Sequence, residues 1–152
     1  MHAAARERII LENDLRRSEL EVHYQPQVQT RHGQIVGAEA LIRWRHPERG
    51  WISPAEFIPV AEESGQIQAI GRWVLDQVLT HMKDWGTRGL TVPRISVNVS
   101  AYQLTDPAFP RTVLERLGAH GVAPEYLGPE FTETAWVQER TLQTLTAIAQ
   151  LG

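Results

Sequence analysis

The sequence predicts an α/β domain in which parallel strands are covered by helices. Segments that read as strands recur along the chain and, beyond residue 66, alternate with segments that read as helices. The clearest helix, over residues 67–85, has apolar side chains at three- and four-residue spacing, which gives it one face for the core. Because a helix between two strands returns the chain to the same end of the sheet, this alternation makes the strands parallel.

The chain begins with a charged helix and two strands. Residues 1–20 carry many charged side chains around a thin apolar stripe, so we expect a lead-in helix that is mostly solvated. Residues 21–26 read as a strand that Pro26 ends, since proline lacks the N–H that a strand ladder needs. A polar turn over residues 30–34 leads into a second strand over residues 35–44.

The remaining elements alternate between helix and strand. Ser53 can cap a short helix with Pro54 in its first position, and Gly65 stands where that helix should end. After the long helix we expect, in order, a strand over residues 94–100, a helix from about 110 to 119 that ends at Gly121, a strand over residues 127–133 and a last helix reaching Gly152.

Composition excludes several classes of protein. The 152 residues carry 15 Lys and Arg against 18 Asp and Glu, so no strongly basic surface for DNA is expected. Without cysteine the chain has neither disulfides nor thiolate metal sites. No apolar run approaches the roughly 20 residues of a membrane span, and no signal-peptide core is visible. We therefore expect one globular, cytoplasmic domain.

Polar side chains follow one face of each predicted strand. Glu39 and Arg43 share a face of the second strand, Asn98 and Glu130 lie on the third and fourth, and Gln25 is near the end of the first. In a β/α barrel the active site is built where parallel strands end. Two carboxylates and a carboxamide make an oxygen-only set, which suits Mg²⁺ or Mn²⁺ better than zinc or copper.

Each of these side chains also has a simpler explanation. Glu39 alone is typical of a strand surface, Asn98 of a strand end where it satisfies backbone groups, and Arg43 of an ordinary salt bridge. Alternating polarity is also typical of a sheet with one face in solvent. Periodicity by itself therefore favours a surface explanation over a metal site.

An ordered series of motifs decides between these alternatives. Glu-Ala-Leu stands at residues 39–41 and is followed by Ile42, Arg43 and Trp44. The other segments of the series are Tyr24-Gln25-Pro26, His46-Pro47, Phe57-Ile58-Pro59, Ala61-Glu62, Gly65-Gln66-Ile67, Val97-Asn98-Val99-Ser100 and Glu130-Phe131-Thr132-Glu133. The series resembles the EAL domain family, which takes its name from Glu-Ala-Leu.

The resemblance implies a TIM-like (β/α)₈ barrel of the EAL type, with its first strand antiparallel and about half of the barrel present. Residues 21–152 would be the N-terminal portion of an EAL domain. Residues 1–20 resemble the linker helix after a GGDEF diguanylate cyclase domain, so we expect a GGDEF–EAL parent. Homodimerisation of that parent stays open. The family's DDFGTG-type block and its later lysine, general-base glutamate and glutamine have no counterpart in the chain.

The family hydrolyses cyclic di-GMP to linear pGpG with Mg²⁺ or Mn²⁺. Carried over by motif, Glu39, Asn98 and Glu130 are implied metal ligands, Glu39 thereby being catalytic. By the same resemblance, the implied substrate contacts are Gln25, Leu41 and Arg43, and Glu133 is implied to anchor a mobile loop.

One departure from the family pattern concerns Gly128 and Pro129, which stand where an acidic and an apolar residue are usual. Pro129 removes a ladder donor beside Glu130. Three hypotheses about function remain. The parent is a cyclic di-GMP phosphodiesterase, it is a non-catalytic module that binds cyclic di-GMP, or the chain is an inactive fragment. Without the later motifs we expect the chain alone to be inactive.

Overall fold

The computed structural model describes residues 3–16, 19–91 and 94–131. Its strands are β1 (Leu20–Val28), β2 (Ile35–His46), β3 (Gly50–Ile52), β4 (Arg94–Val99) and β5 (Leu127–Phe131). Its helices are α1 (Ala3–Arg16), α2 (Pro54–Ser64), α3 (Ile67–Thr87), α4 (Ala101–Leu104) and α5 (Phe109–His120), and a 3₁₀ turn lies at Pro124–Tyr126. The predicted last helix lies outside the described residues.

The strands form one sheet in the order β1-β2-β4-β5. β1 is antiparallel to β2, whereas β4 is parallel to β2 and β5 is parallel to β4. The expected antiparallel first strand and the expected parallel strands are therefore both present. Trp44 near the end of β2 pairs with Leu20 of β1 on one side and Ile52 of β3 on the other. β3 thus continues the β4 side of the sheet beyond the end of β4.

Two strand boundaries differ from the sequence prediction. Pro26 does not end β1, which continues to Val28 with Pro26 opposite Ala38. Among the described strands β1 has only β2 as a neighbour, so alternate N–H groups point away from the sheet and proline is tolerated. β2 extends to His46 because it pairs there with β3, a three-residue strand that the sequence pattern did not predict.

Helices α3 and α5 cover one face of the sheet. Apolar residues of β2, β4 and β5 pack against the apolar stripes of these helices in one continuous core. The members of this core are Ala38, Ala40, Leu75, Val78, Leu79, Met82, Ile95, Val97, Val113, Leu117 and Leu127. The predicted helix ends at Ser53, Gly65 and Gly121 are confirmed, both glycines having the left-handed backbone that ends a helix. No helix in the described ranges is long and apolar enough to cross a membrane.

The first helix, α1, is packed rather than solvated, which corrects the sequence expectation. Leu11 and Leu15 are only 6% and 4% exposed. They lie in a second core with Trp44 and Phe57, so the thin stripe is enough to bury one side of the helix. Arg8 forms an ion pair with Glu63. The helix is therefore held by both apolar and charged contacts.

His46 connects α1 to the end of β2 by a hydrogen bond. Its Nε2 lies 2.8 Å from the Asp14 carboxylate, and its Nδ1 accepts the backbone N–H groups of Glu48 and Arg49 at 3.1 Å each. Because Nδ1 accepts, the ring proton is on Nε2 and is donated to Asp14. His46 is buried, so this one side chain fixes both the helix and the turn into β3.

Tyr24 links β1 to α3 through a short hydrogen bond. Its hydroxyl lies 2.6 Å from Nδ1 of His81, and its ring meets Trp85 edge-on at 5.2 Å between centroids. Burial of the phenol raises the pKa of Tyr24 from 10.0 to about 12. The folded state therefore favours the neutral phenol, and ionisation of Tyr24 destabilises the folded state.

We expect Tyr24→Phe to change how stability depends on alkaline pH. The folded-state pKa lies above the unfolded value, so the stabilisation is fully present below pH 10.0 and is lost as pH rises through about 12. Near pH 8 the free energy of unfolding of the variant should be about 1 kcal/mol below that of wild type, the net value of one hydrogen bond. This difference between variant and wild type should narrow as the pH rises toward about 12. Denaturant unfolding at a series of pH values measures it. Tyr126→Phe, at an exposed tyrosine, should follow the wild-type curve, and parallel curves for all three proteins would contradict the prediction.

Candidate functional site

The face of the sheet away from α3 and α5 is polar. Side chains alternate along a strand, so the residues next to the buried ones point to this second face. β1 contributes Glu21, His23, Gln25 and Gln27, β2 contributes Gly37, Glu39, Leu41, Arg43 and Arg45, β4 contributes Arg94, Ser96 and Asn98, and β5 contributes Gly128 and Glu130. We call this set the polar face.

Four of the predicted site residues form a row across four adjacent strands. Gln25 is the register partner of Glu39, and Asn98 is the register partner of Glu130. The two pairs are joined because Nδ2 of Asn98 donates to Oε1 of Glu39 at 3.1 Å. With neighbouring strands about 4.8 Å apart, the row is roughly 15 Å long. The structure therefore brings Gln25, Glu39, Asn98 and Glu130 together at the carboxyl end of β4.

Leu41 and Arg43 lie farther along the same face. Arg43 is four residues beyond Glu39, a distance of about 13 Å along a strand. Its Nη1 donates to the carbonyl oxygen of Ile42 at 3.2 Å, and its register partner is Glu21. These two residues therefore lie beyond Glu39 on the polar face. Glu133 lies outside the described residues.

The donor set of the row is compatible with a hard divalent cation. Glu39 and Glu130 are half-buried, while Asn98 is exposed, so their oxygen atoms are accessible. Two carboxylates and one amide oxygen are ligands that Mg²⁺ and Mn²⁺ accept. The described residues contain no cluster of three His, Cys, Asp or Glu side chains suited to a metal. To bind a cation together with Glu39, the amide of Asn98 must turn its oxygen toward the carboxylate.

The amino end of the polar face is shaped by Arg94 and two glycines, which the sequence pattern did not single out as a unit. A Cβ atom on Gly37 would lie 2.7 Å from the backbone oxygen of Arg94. A Cβ atom on Gly128 would lie 2.8 Å from Nε of the same arginine. The side chain of Arg94 therefore occupies the space above Gly128. In the sequence, the only sign of this arrangement is that Gly128 departs from the family pattern. In the structure, the Arg94 side chain fills the space that a side chain at residue 128 would need.

Alanine substitutions at the two glycines should have unequal effects. Gly37→Ala meets a backbone atom, so β2 and β4 must move apart, and we expect a loss of about 1–3 kcal/mol of stability. Gly128→Ala meets only the end of a flexible side chain, so the free energy of unfolding should change by less than about 1 kcal/mol. Denaturant unfolding of the two variants tests this, and a Gly37→Ala protein as stable as the Gly128→Ala protein would refute the proposed strand contact.

Comparison with known proteins agrees with this geometry. Residues 8–152 match the family described as EAL domain. The chain is 39% identical over 158 residues to the bifunctional diguanylate cyclase/cyclic di-GMP phosphodiesterase MucR of Pseudomonas aeruginosa, covering 100% of this chain and 23% of MucR. It is 39% identical over 149 residues to the cyclic di-GMP phosphodiesterase PdeR of Escherichia coli, covering 93% of this chain and 21% of PdeR.

Solved structures have the same fold. The phosphodiesterase of MucR in complex with c-di-GMP superposes with a TM-score of 0.87 at 36% identity, over 94% of this chain and 60% of that one. The EAL enzyme Bd1971 bound to cAMP and cyclic di-GMP gives a TM-score of 0.87 at 27% identity, over 98% of this chain and 43% of that one. The chain spans about a fifth of the length of the curated relatives it matches. It is a partial EAL-type barrel.

Proposed function

The chain belongs to the EAL domain family, and we propose on this basis that it is part of a cyclic di-GMP phosphodiesterase that forms linear pGpG. The row of Gln25, Glu39, Asn98 and Glu130 across four strands carries the proposal. The likeness to MucR and PdeR, whose names state this activity, supports it. A surface explanation would not require polar residues of four adjacent strands to share one face, with Asn98 of β4 donating a hydrogen bond to Glu39 of β2.

We assign the oxygen atoms of Glu39, Asn98 and Glu130 to a divalent cation, Mg²⁺ or Mn²⁺. A bound divalent cation supplies Lewis-acid chemistry, which stabilises the charge that develops on a phosphoryl group under attack by water. Glu39 is central in this set because it is already within hydrogen-bond distance of Asn98.

The substrate-binding roles fall to Gln25, Leu41 and Arg43. Arg43 can present a planar pair of donors to a phosphate or to a guanine edge. Gln25, opposite Glu39, offers an amide donor and an amide acceptor beside the cation. Leu41 lies between Glu39 and Arg43 on the same face, where it offers an apolar surface to the nucleotide.

Other expectations from the family pattern accompany this proposal. We propose from the same resemblance that Glu133 anchors a mobile loop, that residues 1–20 are the linker helix, and that residues 21–152 belong to the EAL domain. A GGDEF domain precedes it in a cytoplasmic parent, and dimerisation of that parent is a further hypothesis. A polypeptide limited to these 152 residues has only three of the implied metal ligands and no general base, so it should show no measurable hydrolysis.

Substitutions of the two carboxylates test the proposal within a complete EAL domain that contains this chain. Glu39→Gln and Glu130→Gln keep the shape of the side chain and remove its charge, so each should lower kcat by at least about 100-fold. Mn²⁺ should raise the Tm of the wild-type domain and have a smaller effect on either variant. Glu115→Gln, at an exposed glutamate of α5, is the charge-matched control and should behave as wild type.

The same experiment separates the enzyme from the alternatives. Hydrolysis of cyclic di-GMP by both variants at the wild-type rate would overturn the proposed metal site. A domain that binds cyclic di-GMP tightly, with neither hydrolysis nor a metal effect, would be the non-catalytic binding module. A domain that neither binds nor hydrolyses the nucleotide would be inactive.

A further inference from the structure

A large aromatic side chain stands on the polar face beyond Arg43. Trp51 of β3 is the register partner of Arg45, so both side chains point to the polar face. The indole is 55% exposed, although its neighbour Ile52 is only 5% exposed in the core. The strand therefore buries one apolar side chain and presents a second, larger one on the polar face.

Three side chains from three strands meet at this position. The guanidinium carbon of Arg45 lies 5.8 Å from the centre of the Trp51 ring. The His23 ring meets the indole edge-on, with centroids 5.7 Å apart and planes at 74°. His23 in turn lies 2.9 Å from the Glu21 carboxylate, so the imidazole contacts both the indole and a carboxylate.

The indole contacts the His23 ring although the two residues lie at different levels of β2. His23 is opposite Leu41, whereas Trp51 is opposite Arg45, and these levels are about 13 Å apart along β2. The two rings nevertheless touch, so their side chains lean toward each other over Arg43. The indole thus lies at the level of a proposed substrate-binding residue.

The backbone that carries Trp51 is held in place before any ligand binds. The His46 ring accepts the N–H groups of Glu48 and Arg49 in the turn that leads into β3. Ile52 is buried opposite Trp44, which is itself 1% exposed. A fixed aromatic surface loses little freedom when it binds a flat ligand, so its contacts contribute more to affinity.

We infer that Trp51, oriented by His23 and Arg45, is a base-binding residue on which one guanine of the substrate stacks. This rests on the proposed function, to which it adds a residue that the family motifs do not assign. Base–aromatic stacking uses the flat face that every purine presents, and a neighbouring guanidinium adds a cation–π contribution. With the phosphate at the row of site residues, the base extends along the polar face toward β3.

The test uses Trp51→Ala and Trp51→Phe in a complete EAL domain that contains this chain. Stacking contributes mainly to binding, so Trp51→Ala should raise KM for cyclic di-GMP about 10-fold or more while kcat stays within about 3-fold. Trp51→Phe keeps a smaller stacking surface and should recover most of the affinity. Calorimetric titration of cyclic di-GMP after chelation of metal should show the same order of Kd values without turnover.

Tyr126→Ala is the matched control, because Tyr126 is 43% exposed and precedes β5 at the opposite end of the sheet. Its KM should equal that of wild type. Unchanged KM and Kd in Trp51→Ala would overturn the inference and leave the phosphodiesterase proposal intact. So would a loss of kcat together with Tm, which indicates a structural role. If the wild-type domain neither binds nor hydrolyses cyclic di-GMP, the proposed function fails first.

Discussion

The register of β2 between its two neighbours is the constraint on which the rest of the site depends. Glu39 is opposite Gln25 of β1 on one edge and opposite Ser96 of β4 on the other. A slip of one residue would turn every side chain of β2 to the other face. Ala38 and Ala40 prevent this because they are buried against α3, where a glutamate could not be accommodated without a partner. Burial of small apolar side chains thus determines where the charged ones point.

The sequence predicted the elements whose signals are local. β4 alternates Ile95, Val97 and Val99 with polar residues, and this period is enough to assign both its conformation and its buried face. Ser53 and Gly65 delimit α2 through their own side chain and backbone, so that helix could also be located. The antiparallel direction of β1 needed more than periodicity, because it was predicted only from the likeness to a family. That likeness also selected the site residues from among many polar side chains.

The strand features that the sequence missed depend on contacts between distant residues. β3 is three residues long, and its conformation is fixed by pairing with β2 rather than by its own composition. Pro26 continues β1 because, among the strands that the structure describes, β1 pairs on one side only, which cannot be recognised before the sheet order is known. Arg94 and Gly128 belong to different strands, and only the parallel pairing of β4 with β5 brings them together.

The burial of Trp44 connects the lead-in helix to the polar face. Trp44 shares a core with Leu11 and Leu15 of α1. Its neighbours in sequence, Arg43 and Arg45, both point to the polar face. Because packed cores have little free volume, α1 cannot shift against Trp44 without disturbing β2 at these two arginines. Helix α1, which the sequence predicts to be a solvated lead-in, therefore helps to position Arg43 and Arg45 on the polar face.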